Sequence, residues 1–393
     1  MTAIDGVNGT VCNAAQYAQS LISLNNPNPW ITCLTNGESI GLALTAEASF
    51  LSCASVVIIL ILICRNVLWY RKTFPGGDWK LFQGPADIYM FTLFLFDILQ
   101  AMGGILDVRW AHNGIVTKGA YCNAQGIIQQ IGELGVALTT LLLAVHTFVG
   151  ALWRVGLDAR RFAFGLVCLV CVFIALWVSI GASTNKNYEA PTPYWCWISP
   201  KFKGERLGGE YVWLWVALFA SAFLYIPLYF WTEGRLSVDP DSWYKFHTSK
   251  PDQTVEYAQR RASLGMLLYP LAYSFVVLPL SVARWMLFSH DHVSSASQFF
   301  GVSMFNLSGF INVLLFLIVR PQLLLFPRPE DIVEPEIQLA HDNGSRIFTD
   351  AAAKYELSPE PAATGYVDGG SRTSASAEMS RGSSRRRFDE DDV

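Results

Sequence analysis

Long apolar stretches alternate with short polar ones along most of this chain. Seven stretches, Ala43–Cys64, Ala86–Leu106, Asn123–Leu152, Phe162–Gly181, Tyr211–Trp231, Ser263–Phe288 and Gln298–Val319, stand out. Each is about 20 residues or longer, the length an α-helix needs to cross the hydrocarbon core of a bilayer. The pattern predicts an all-α membrane protein built as a seven-transmembrane helix bundle. An odd number of crossings puts the two ends of the chain on opposite sides, a layout suited to carrying a signal. Residues 1–40 read as a short polar arm, 41–327 as the bundle, and 328–393, rich in Pro, Ser, Gly and charge, as a disordered tail. No repeat relates the two halves of the bundle, which counts against a transporter built from duplicated units.

Composition agrees with the pattern. The chain is 52% hydrophobic and 15% charged, where a soluble chain carries near a quarter. A net charge of -4 gives no sign of a nucleic-acid partner. No cleavable signal peptide is expected, because the first segment is polar and lacks a basic start.

Loop charge sets the expected orientation. The first loop carries Arg65, Arg71, Lys72 and Lys80, the third Arg154, Arg160 and Arg161, and the fifth Arg235, Lys245, Lys250, Arg260 and Arg261. On the other side, the arm and the sixth loop have no Lys or Arg. The second loop has Arg109 and Lys118 and the fourth Lys186, Lys201, Lys203 and Arg206, so the odd loops lead by about two to one. The N-terminus is therefore expected outside and the C-terminus in the cytoplasm, in a multi-pass protein of the plasma membrane. The sequon Asn8-Gly9-Thr10 then falls outside, where glycans are added.

Four of the eight cysteines lie in loops on that outer side, where disulfides persist. A bridge between Cys122, at the start of the third helix, and Cys196 would pin the long fourth loop over the bundle. Cys12 and Cys33 could pair within the arm, although two cysteines in one segment need not meet. Cys53, Cys64, Cys168 and Cys171 read as packing residues inside helices.

Ionisable and amide groups at membrane depth point to function or to helix-joining hydrogen bonds. Asp97, Glu133, Asn306 and Asn312 could form one polar core joining the second, third and seventh helices. Such a core could hold a sodium ion or a proton, or simply tie helices together. Prolines break the ladder of backbone hydrogen bonds. Pro227 interrupts the fifth helix, and Pro270 and Pro279 the sixth. Pro279 is the expected pivot of a switch.

Enzyme chemistry has little to build on. His146 is the one histidine well inside a helix, and His290-Asp291-His292 is a loop tripeptide. Neither makes the converging ligand set of a zinc hydrolase. No metal and no cofactor is expected. The helix cores carry no lysine for a retinal Schiff base.

Several local motifs resemble a known family. Trp195-Cys196-Trp197-Ile198 is similar to the WCWI element of the cyclic-AMP-receptor-like G-protein-coupled receptors of slime moulds and fungi. Tyr211-Val212-Trp213 and Tyr225-Ile226-Pro227-Leu228-Tyr229 look like that family's fifth helix. Tyr269-Pro270-Leu271-Ala272-Tyr273, Leu278-Pro279 and Arg284-Trp285 resemble the sixth helix it shares with fungal glucose-receptor-like proteins. Gly309-Phe310-Ile311-Asn312, running on to Arg320-Pro321, resembles its seventh. The chain lacks Asp-Arg-Tyr after the third helix and Asn-Pro-x-x-Tyr in the seventh, so rhodopsin-type switch residues do not transfer.

The resemblance implies a receptor for an extracellular small molecule that activates a heterotrimeric G protein, with a Cys122–Cys196 disulfide. A membrane transporter of a small solute is the alternative. Gln125, Gln129, Glu133, Trp197, Trp213, Tyr273 and Arg284 are the expected ligand-lining residues, with Arg284 placed to meet an anionic group. Arg154, Arg160, Arg161, Arg260 and Arg261 would flank the G-protein cleft. Ser374, Ser383 and Ser384, set among arginines, are expected substrates for kinases acting on the tail.

Overall fold

The computed structural model describes residues 9–73, 84–153, 159–185, 187–232, 235–239, 242–248, 257–288 and 293–319. Within them run α1 (Ala14–Leu24), α2 (Asn36–Thr73), α3 (Pro85–Ile105), α4 (Asp107–Asn113), α5 (Ala120–Trp153) and α6 (Ala159–Thr184). The chain continues through α7 (Lys203–Arg206), α8 (Val212–Thr232), α9 (Tyr257–Phe288), α10 (Ser295–Asn306) and α11 (Ser308–Val319). Among the described residues seven long rods emerge: α2, α3, α5, α6, α8, α9 and the pair α10–α11. Six are long and apolar enough to cross a membrane, and α9 contributes a shorter apolar run, Leu271–Leu287.

The rods close on one another. α3 packs along α5 and α2, α5 against α6 and α8, and α8 against α9. α9 then meets α10 and α11, which return to α2. The tightest seam is α3 on α5, where glycines remove the side chains that would hold the backbones apart. A Cβ on Gly132 would meet Gln100 Cα at 2.5 Å, and one on Gly103 would meet Gln129 Cα at 3.0 Å. The outer face of the bundle is apolar, with Phe50, Leu169, Phe223 and Phe275 exposed, as expected of a surface solvated by lipid.

The helices outrun the hydropathy pattern. α2 begins before Ala43 and continues past Cys64 through Arg65 and Asn66, because helical hydrogen bonding does not stop where apolar residues do. The seventh rod is broken at Leu307 between α10 and α11. The Phe305 carbonyl beside that break accepts from Gln100 Nε2 at 3.0 Å.

The architecture is also not purely helical. Three two-stranded antiparallel sheets join the rods: β1 (Ile31–Cys33) with β2 (Ile115–Thr117), β3 (Glu189–Pro191) with β4 (Cys196–Ile198), and β5 (Leu236–Asp239) with β6 (Ser242–Thr248). The first ties the N-terminal segment to the α4–α5 connection. Cys12–Cys33 closes that segment on itself, and α1 is capped by reciprocal Asn13–Gln16 hydrogen bonds.

Candidate ligand cavity beneath a disulfide-tied hairpin

The β3–β4 hairpin is drawn onto the end of the bundle by Cys122–Cys196, from the first turn of α5 to the start of β4. Gln125, one turn along α5, reinforces it. Its Oε1 accepts from Trp110 Nε1 at 2.6 Å and from the Cys196 amide at 3.3 Å. Its Nε2 donates to Asp107 Oδ1 at 2.5 Å. Gln125 thus fastens α4, α5 and the hairpin together and does not line a cavity, contrary to expectation. Gly126 leaves the space that the Glu189 carboxyl fills: a Cβ there would run into that carboxyl, with Cδ at 2.5 Å.

Glu189 is 2% exposed and neither of its oxygens has a hydrogen-bond partner. Burial pushes its carboxyl up to about 8, with Arg206 pulling the other way. A carboxyl raised by folding stabilises the folded state most below its unfolded value near 4.5, and that contribution is lost as pH rises through about 8. Between those limits the slope approaches ~1.4 kcal/mol per pH unit. Thermal unfolding should therefore move to lower temperature from pH 6 to pH 9, and Glu189→Gln should flatten the trend. An unchanged pH dependence in that variant would remove Glu189 as its source.

Below the hairpin lies a small, partly open cavity. α5 contributes Gln129 and Glu133, the hairpin Trp195 and Trp197, and α9 contributes Leu280 and Arg284. Val302 and Phe305 of α10 close one side, and Glu210 and Tyr211 another. The last two belong to a π-helical turn, Leu207–Tyr211, that leads into α8. Such turns insert a residue into the helical repeat and re-aim its neighbours. Gln129 Nε2 donates to Glu133 Oε1 at 2.7 Å. The Arg284 guanidinium sits 5.4 Å from the Trp195 ring, 5.7 Å from Trp197 and 5.9 Å from Tyr211. Arg206 lies 4.7 Å from the Trp197 ring.

Of the side chains expected to line a ligand site, Gln129, Glu133, Trp197 and Arg284 face this cavity. Trp213 does not: its ring packs on Phe173 and its Nε1 donates to the Gly208 carbonyl at 3.0 Å. Tyr273 is buried among the helices, away from the lining. Trp195 and Tyr211 fall in the family-like motifs without being expected as lining residues, and nothing in the sequence marks Glu210, Arg206 or Glu189 as part of a site. The charged ones sit in or beside a loop that reads as solvated until the disulfide folds it over the bundle.

The polar core is smaller than expected and differently composed. Asn312 Nδ2 donates to Asp97 Oδ2 at 2.9 Å, and Ser308 Oγ lies 3.1 Å from Asp97 Oδ1. Gln100 Oε1 lies 3.4 Å from the same Ser308 hydroxyl. Glu133 is not part of this group, because its face of α5 turns to the cavity. Asn306 sits beside Gly104, near Ser49. Its Nδ2 has no hydrogen-bond partner.

Arg160 and Arg161 are exposed at the start of α6. Asn8, Arg154, Ser374, Ser383 and Ser384 lie outside the described residues, as do the side chains of Arg260, Arg261 and Pro270. Pro279 lies within α9, where α10 approaches closely: a Cβ on Gly301 would lie 3.3 Å from the Pro279 carbonyl carbon.

No protein-family model matches the chain. No curated protein matches it either. Among solved structures the chain is similar to squid rhodopsin, with 13% sequence identity and a TM-score of 0.47, over 73% of this chain and 79% of that one. The seven-rod arrangement stands on the helices and contacts described above, not on that likeness.

Proposed function

We propose that the chain is a plasma-membrane receptor of the G-protein-coupled kind, with its ligand site in the cavity under the β3–β4 hairpin. The carrying observation is that α9 completes the cavity wall through Leu280 and Arg284, next to Pro279. A ligand shifts a bundle only by binding one of its forms better than another. A guest touching Arg284 acts on α9 one turn or so from the proline that weakens its backbone ladder. The opposite end of α9 would then swing and open a cleft for a heterotrimeric G protein.

In this reading the disulfide end faces outward, with a glycan on Asn8, and residues 328–393 form a cytoplasmic tail. Arg154, Arg160, Arg161, Arg260 and Arg261 flank the cleft. Kinases acting on Ser374, Ser383 and Ser384 end the signal. The bound guest is an extracellular small molecule, as the resemblance to the cyclic-AMP-receptor-like family implies.

Guanine-nucleotide exchange on purified heterotrimeric G proteins, with the chain reconstituted in lipid, tests this reading. Exchange should exceed that of empty vesicles and fall to background when the β5–β6 hairpin, Leu236–Thr248, is deleted. Solute flux across the same vesicles, with no exchange on any G protein, would establish a transporter instead.

A further inference from the structure

The cavity is lined by more acidic than basic side chains. Two acidic side chains, Glu133 and Glu210, line it against one guanidinium, Arg284.

Its hydrogen bonding is unbalanced in the same sense. Gln129 Oε1 and Glu210 Oε2 are buried acceptors without a partner, on side chains 5% and 2% exposed. Gln129 Nε2 is already committed to Glu133. The Trp197 indole lies beside Glu210 but closes no hydrogen bond of full geometry. Buried acceptors left in this state cost free energy that a guest rich in donors recovers.

The walls favour the same guest. Trp195, Trp197 and Tyr211 already hold one cation, the Arg284 guanidinium, within 6 Å of their ring centres, the range in which ring faces attract positive charge. An anion here would have to draw Arg284 off those rings and then rest beside Glu133 and Glu210. Arg284 is therefore a resident of the cation-holding wall, not a free hook for an anionic group.

We propose that the cavity binds a small organic ammonium compound, with its N–H groups on Glu210 Oε2 and Gln129 Oε1 and its apolar body against the aromatic wall. As it stands the space is little more than water-sized, so a guest of one ring or a short chain enters only as Arg284 gives way. This deepens the receptor reading and rests on it only for the signalling step, not for binding. A second cation on the shared wall repels Arg284, and Arg284 is carried by α9, so occupancy and helix movement are coupled electrostatically.

The test uses the full chain in lipid nanodiscs and three probes with one skeleton. Phenethylamine, 2-phenylethanol and phenylacetate carry a positive, a neutral and a negative group, and D-glucose serves as a polyol control. Binding is read by calorimetry. Phenethylamine should bind at least about tenfold more tightly than 2-phenylethanol, a difference of ~1.4 kcal/mol, and phenylacetate and glucose should not saturate. Glu210→Gln should remove the preference for the amine while leaving the weak affinity for the alcohol. Because the wild-type comparison stands alone, a variant that fails to fold leaves the test intact.

Equal binding of amine and alcohol, tighter binding of phenylacetate or glucose, or no saturable amine binding by folded protein would each overturn the proposal. Exchange assays separate its failure from that of the receptor reading. An amine that binds without stimulating any G protein keeps the ammonium site and sinks the receptor. Exchange driven by a neutral or anionic compound, with no amine binding, does the reverse.

Discussion

Gly132→Val should prevent the chain from accumulating in folded form, and Gly132→Ala should already lower its thermal stability measurably. The Cβ of any other residue at this position would lie 2.5 Å from Gln100 Cα and 2.8 Å from the Leu99 carbonyl carbon. Both are backbone atoms, so no rotamer change relieves the contact and α3 must part from α5. Overpacking of this kind costs about 1–3 kcal/mol for added methylenes. A β-branched side chain adds a second and third carbon against the same seam. The seam also holds Gln125, Gln129 and Gln100, so parting it disturbs the hairpin anchor and the α10–α11 break together. Gly165→Ala is the matched control. Gly165 lies in α6 with nothing near its Cβ position, and alanine there should be neutral or stabilising by up to about 1 kcal/mol. The readout is the fraction of protein eluting as a monodisperse peak after detergent extraction, and then thermal unfolding. Equal behaviour of the two alanine variants would mean that α3 and α5 do not meet as closely as described.

Cys196→Ser should abolish ligand response while leaving a folded bundle. The Cys122–Cys196 bond spans 74 residues of sequence, and loss of a native disulfide closing a loop of that order typically costs about 2–5 kcal/mol. That cost falls on the hairpin more than on the rods, because the rods are held by their own seams. Two features keep part of the hairpin in place: Gln125 Oε1 on the Cys196 amide, and Glu189 in the space left by Gly126. Neither fixes Trp195 and Trp197 against Arg284. The aromatic wall therefore loosens before the bundle does. Protease sensitivity between Glu189 and Ile198 should rise sharply in the variant. The double variant Cys122→Ser/Cys196→Ser should match the single one, since either change removes the same bond. A single variant with normal affinity for its ligand would separate the hairpin from the site.

Much of this architecture is legible in the sequence because lipid imposes a simple code. An apolar run of the right length becomes a rod, and the rods appear where the hydropathy pattern puts them. Their ends do not, because α2 keeps its hydrogen-bond ladder through Arg65 and Asn66 after the apolar signal stops. The break at Leu307 is equally silent. Beside it a partner from another rod, Gln100, donates to the buried Phe305 carbonyl.

The site is legible in part for a related reason. Gln129, Glu133 and Arg284 lie in apolar runs, where a polar residue is conspicuous. Glu189, Arg206 and Glu210 lie in or beside a loop, where charge is ordinary, and only closure of the loop by Cys122–Cys196 buries them. Sequence depth alone pairs Glu133 with Asp97. Both are polar groups at membrane depth, but depth does not say which face of a rod a residue occupies. Asp97 faces Ser308 and Asn312, whereas Glu133 faces Gln129 and the cavity.

In the proposed receptor, events at the disulfide end of the bundle would reach the other end through movement of α9. Spin labels at Lys72, at the far end of α2, and at Ala262, near the start of α9, report that movement directly. The four unpaired cysteines, Cys53, Cys64, Cys168 and Cys171, would first be replaced by alanine. The distance between the labels is then measured in nanodiscs by pulsed electron resonance, with and without nucleotide-free heterotrimeric G protein. The distance distribution should shift outward by several ångströms when the G protein binds. A distribution that stays the same while the G protein is bound would rule out α9 as the moving element.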